Sequence, residues 1–80
     1  MVTGYRITVV GIKQYFEENY KQALLRYHDI IDNTNNTCSI EQLTYNVNGS
    51  ILKSKEVLRG GTDLVSGKKW EYQFKEWFEW

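Results

Sequence analysis

Residues 70–80 read WEYQFKEWFEW and hold six of the twelve aromatic side chains in an 80-residue chain. As a helix, the stretch places Trp70, Phe74, Trp77, Phe78 and Trp80 within about 160° of arc, from a step of ~100° per residue. As a strand, it puts Trp70, Tyr72, Phe74, Phe78 and Trp80 on one face, with Trp77 opposite. Periodicity leaves the two level. Aromatic residues suit a pleated, half-buried surface. The charges run against a helix dipole, with Lys68 and Lys69 at the start and Glu76 and Glu79 at the end. The one helical counterweight, Glu71 with Lys75 at i,i+4, is worth only ~0.2–0.5 kcal/mol. A strand is therefore predicted over 69–75, with 76–80 either continuing it or turning away.

Upstream, Tyr5-Arg6-Ile7-Thr8-Val9-Val10 alternates and ends at Gly11, a strand with Tyr5, Ile7 and Val9 on one face. From Ile12 the spacing changes. Ile12, Phe16, Tyr20, Ala23, Leu24, Tyr27, Ile30 and Ile31 recur every three or four residues, which predicts an amphipathic helix over 12–32. Glu17 and Glu18 would lie in its first turns, with Glu17 paired to Lys21. The turn-forming run from Asp32 to Thr37 ends it.

Asn48-Gly49 predicts a hairpin with a two-residue type I′ turn. Tyr45 would then face Leu52, and Leu43 would face Ser54. Leu43, Tyr45, Val47 and Leu52 would share one face, with Lys53, Lys55, Val57 and Arg59 on the other. Gly60-Gly61 should break the second strand, and residues 62–65 leave room for a short extra strand before the Ser66-Gly67 turn.

The expected class is α+β: a two-layer β-α-β-β-β domain spanning residues 1–80, one amphipathic helix on one face of an antiparallel-rich sheet. The buried layer would set Ile7, Val9, Leu43, Tyr45, Leu52, Trp70, Tyr72 and Phe74 against Phe16, Tyr20, Leu24, Tyr27 and Ile31.

Ten basic residues balance ten acidic ones. Phosphate binding rests on Lys and Arg, so neutrality argues against a nucleic-acid role, and it leaves self-association into a homodimer open. Cys38 is the only cysteine, so no internal disulfide can form. The opening MVTGYRITVVGIK has neither a basic leader nor a long apolar run, which predicts a cytoplasmic protein with no membrane span. Two Asn-x-Ser/Thr matches, at Asn35 and Asn48, are read as chance matches in Asn-rich turns.

No catalytic constellation emerges. His28 falls off the apolar stripe and reads as a solvated side chain. Cys38 has no partner at metal-ligand spacing, so no metal or cofactor is expected. Gly60-Gly61-Thr62 lacks phosphate-loop spacing and reads as a glycine turn. The expected function is therefore stoichiometric protein binding. Small size and AT-codon-rich residues suggest a phage or mobile-element accessory protein that inhibits a larger host or defence complex. Its expected contacts are Trp77, Phe78 and Trp80, since clustered surface aromatics make binding hot spots. The alternative is a nucleic-acid-associated or transcription-related protein that uses Lys53, Lys55 and Arg59 as a basic strand face.

Overall fold

The structure, a computed structural model, describes residues 2–74. Its elements are β1 (Val2–Val9), β2 (Lys13–Glu17), α1 (Tyr20–Asn33), β3 (Cys38–Tyr45), β4 (Ile51–Thr62) and β5 (Lys69–Gln73). The five strands form one antiparallel sheet in the order β2-β1-β3-β4-β5. The helix between β2 and β3 packs on one face of it, so the α+β class is as the sequence implies.

The first difference is β2. Gly11, with φ 76°, stands third in a turn closed by the Ile12 N–H donating to the Val9 carbonyl at 2.9 Å. Positive φ there is what a type II turn needs, and glycine adopts it without steric cost. The chain reverses, and Lys13–Glu17 pairs with β1. Ile12, Phe16 and Tyr20 suggested a helix because a spacing of four fits one helical face. An even spacing also keeps residues on one face of a strand, so the pattern could not separate the two.

The helix begins where Asn19, in extended conformation, caps it by accepting a 2.9 Å bond from the Gln22 N–H. Glu17 therefore lies outside the helix, and it pairs with Arg26 at 2.9 Å instead of Lys21. At the other end Thr34 donates both its N–H and its hydroxyl to the Ile30 carbonyl. The Lys69 ammonium, reaching from β5, donates to the carbonyls of Ile31 and Thr34 and to Thr62 Oγ1. A cation on the last carbonyls satisfies groups the helix leaves unpaired and suits the negative end of its dipole.

Ala23, Tyr27 and Ile31, one helical stripe, pack on Ile7, Val9, Cys38, Ile40, Val57 and Leu58. Tyr5, Tyr15, Tyr20, Leu24 and Ile30 line the margin of this core. Four expected core residues belong elsewhere: Phe16, Leu52, Trp70 and Tyr72 are exposed. Leu43 is fully buried yet stands outside the main core cluster. Directly opposed residues share a face, so the pairs Ile7 with Ile40 and Val9 with Cys38 put 38 and 40 of β3 under the helix. Leu43 and Tyr45 then fall on the far face.

The β3–β4 hairpin also differs. Gly49 N–H bonds the Asn46 carbonyl at 3.1 Å, and Asn46 N–H bonds the Ser50 carbonyl at 3.0 Å. Gly49 has φ 86°, while no non-glycine residue described has positive φ. That is a type I turn closed by a glycine bulge, with one more loop residue than a type I′ turn. A bulge at Leu52 absorbs the extra residue, so Tyr45 faces Ile51 while Leu43 still faces Ser54 as the sequence implied. A second irregularity leaves Val57 outside the ladder, between the pairs Glu41–Glu56 and Ile40–Leu58. Residues 64–66 form a turn, not a strand, and β4 runs straight through Gly60 and Gly61 to Thr62.

Candidate functional site

The face turned away from the helix can be built row by row from the strand register. One row reads Phe16, Arg6, Glu41, Glu56 across β2, β1, β3 and β4. The next reads Gln14, Thr8, Ser39, Arg59, Tyr72 and reaches β5. Trp70 stands beyond it, opposite Gly61. Phe74 follows Tyr72 at strand spacing, and their rings meet edge-on at 4.7 Å.

The centre of this face is a strip of paired charges. Arg6 Nε and Nη2 fork onto Glu41 Oε1 and Oε2 at 2.8 and 3.0 Å. This bidentate grip raises the Arg6 guanidinium above its ordinary range, against the opposing effect of burial. Arg59 Nη2 holds Glu56 Oε2 at 2.8 Å. Glu41 and Glu56 are direct cross-strand neighbours, a repulsive placement that one arginine on each side offsets. Thr8 Oγ1 and Glu56 Oε1 are buried and have no hydrogen-bond partner among the described residues. Aromatic rings flank the strip: Phe16 is 57% exposed on one side, and Trp70 (40%) and Tyr72 (59%) on the other.

The expected contact residues Trp77, Phe78 and Trp80 lie outside the described residues. Lys53, Lys55 and Arg59 are not gathered on one face. Lys53 is opposite Thr44 and Lys55 opposite Gln42, in step with the helix-covered side, whereas Arg59 is opposite Ser39 on the far face. The bulge at Val57 separates them by breaking the two-residue alternation.

His28 is exposed, as the sequence implies, with its ring 5.2 Å from that of Tyr27. Cys38 is fully buried, and desolvation pushes its thiol up to about 11. Among the described residues no group of three or more His, Cys, Asp and Glu converges to hold a metal ion. No helix among them is long and apolar enough to cross a membrane. Gly60 and Gly61 are close-approach positions: a β-carbon on Gly60 would meet the Tyr27 hydroxyl, and one on Gly61 would lie 3.0 Å from Thr37 Oγ1 and 3.1 Å from the Trp70 ring.

Sequence reasoning missed Phe16, and it placed Trp70 and Tyr72 on the wrong side. The signal for Phe16 was Gly11 followed by Asn19: a turn glycine and an N-cap residue bracket a strand-length segment. For Trp70 and Tyr72 the alternation was read correctly, but which face the helix covers follows from Cys38 and Ile40, not from Leu43 and Tyr45. Comparison with known proteins gives no match: no protein-family profile, no curated protein and no solved structure is similar to this chain.

Proposed function

We propose that the chain is a non-enzymatic protein-binding module whose contact surface is the far face of the sheet. The observation that carries this reading is the exposure of Phe16, Trp70 and Tyr72 on either side of the Arg6–Glu41 and Glu56–Arg59 pairs. Aromatic side chains bury much area for little lost side-chain entropy, which makes them the usual anchors of interfaces. A strip of oriented charges between them supplies direction and selectivity. In a chain of this size the expected mode is stoichiometric occlusion of a larger host protein or defence complex, as a phage or mobile-element accessory protein would act.

A second reading has a specific observation in its favour. Aromatic side chains on a sheet face away from the helix are also how single-stranded RNA is bound, by base stacking. Here the arginines of that face already hold carboxylates, so its formal charge is balanced and a phosphate backbone gains little there. Protein is therefore the favoured partner.

The test is affinity capture from the native host, using the wild type, a Phe16→Ser/Tyr72→Ser variant, and Leu25→Ser as a control on the exposed helix surface. A protein retained by the wild type and the control but lost with the double variant supports the far face. Equal retention by all three removes it. Binding of random oligonucleotides that weakens steeply with salt would favour nucleic acid.

A further inference from the structure

Among the described residues strand β5 ends the sheet, and every one of its five residues is exposed. Which of its backbone groups point outward follows from two bonds. The Lys68 carbonyl accepts from Asp63 N–H at 2.8 Å, and Phe74 N–H donates to the Val57 carbonyl at 3.2 Å. Residues 68 and 74 therefore face the turn and β4. In a strand successive residues point their N–H and C=O to opposite edges, so 70 and 72 face β4 as well. Lys69, Glu71 and Gln73 are left with both backbone groups directed away from the sheet.

We infer that this edge pairs with the β5 edge of a second copy of the chain, antiparallel about a two-fold axis. A two-fold interface requires the same patch to complement itself. Centred on Tyr72, the pairing sets Glu71 against Gln73 of the other copy, so outward-facing groups meet outward-facing groups. On the far face it sets Tyr72 against Tyr72 and Trp70 against Phe74, aromatic on aromatic, a favourable cross-strand combination. The helix-side contacts that hold β5, Lys69 on the helix end and Glu71 on the Tyr27 hydroxyl at 3.2 Å, remain in place. A formal net charge of zero removes long-range repulsion between copies.

The other terminal strand, β2, is the weaker candidate. Its Glu17 is taken by Arg26, and Arg26 and Lys13 both lean on the Tyr15 ring. Self-pairing there about Tyr15 would set Gln14 against Phe16 on the far face, a poorer match. Pairing through β5 does not rest on the binding role proposed above: it draws on the Trp70 and Tyr72 rings that role also uses, and it leaves Phe16 and the charged strip free.

Sedimentation equilibrium over a roughly hundredfold concentration range tests the pairing by mass action. The wild type should pass from monomer to dimer. Gln73→Pro should weaken the dimer at least tenfold, because proline removes an N–H that points away from β4 and is tolerated on edge strands. A wild type that stays monomeric throughout, or a folded Gln73→Pro that dimerises like the wild type, overturns the proposal. Hydrogen exchange on the wild type needs no variant. Amides of Lys69, Glu71 and Gln73 should gain protection with concentration. Protection appearing in β2 instead overturns the assignment.

Discussion

The hydroxyl of Tyr27 occupies the space that a side chain on residue 60 would need. The helix thus reaches β4 at a position where only hydrogen can stand between ring and backbone. Replacing Gly60 by Ala should cost about 1–3 kcal/mol, the usual penalty for overpacking a core that cannot shift. Chemical denaturation compares this variant with Gly60→Ala in a Tyr27→Phe background, where removal of the hydroxyl should recover part of the loss.

Tyr27 also carries an alkaline dependence. Burial, then the charge of Glu71 and the hydrogen bond to it, raise this phenol above the ordinary tyrosine range. A group held protonated in the fold but freer to ionise when unfolded gives stability that is fully present below about pH 10 and lost as pH rises further. Tyr27→Phe should lose about 1 kcal/mol at neutral pH with the hydrogen bond to Glu71. Its deficit against the wild type should shrink in strong alkali. Some alkaline slope will remain, because burial raises Tyr20 in the same direction. Urea midpoints measured at neutral pH and above about pH 10 check the sign.

At the hairpin tip the two turn residues should respond differently. Gly49 takes positive φ and Asn48 does not. Gly49→Ala should cost about 1–2 kcal/mol, the penalty for left-handed backbone in a residue with a β-carbon. Asn48→Ala loses only the side-chain bond accepted from Ser50 N–H and should cost less. A type I′ turn would instead penalise change at both positions. Thermal unfolding of the two single variants decides between them.

Cys38 should resist thiol reagents in the folded state. It is fully buried, and its thiol is pushed up to about 11, so little thiolate forms at neutral pH. Labelling should proceed only through opening of the fold, and Ile40→Ala, which should cost about 2–5 kcal/mol, should accelerate it strongly. Labelling at a rate independent of stability would place the thiol at the surface.

Much of the fold was legible because its signals are local. Asn48-Gly49 marked the hairpin, the Tyr20–Ile31 spacing marked the helix, and Tyr5–Val9 and the start of the last segment alternated as strands do. The far-face surface was not legible, for two physical reasons. A spacing of four fits both regular structures, which hid β2 and with it the exposure of Phe16. The face covered by the helix is set by which residues of β3 oppose Ile7 and Val9, and this pairing is non-local. Once Ile40 rather than Leu43 stands under the helix, Tyr72 and Trp70 change sides with the rest of the ladder.

The bulge at Val57 bears on how this chain can vary in length. Because Val57 belongs to no rung, its loss would join Glu56 to Leu58 with both still opposite Glu41 and Ile40. Neighbours on either side would keep their orientation, and only the packing of one buried side chain would be forfeited. A one-residue deletion within the paired stretch of Lys53 to Glu56 would instead turn part of the strand over. It would exchange basic and acidic positions between the two faces while the composition barely changed. In β4, then, the layout of charge depends on residue count as much as on residue identity, and Val57, like Leu52 at the hairpin bulge, is a position where the count can change without rewriting that layout.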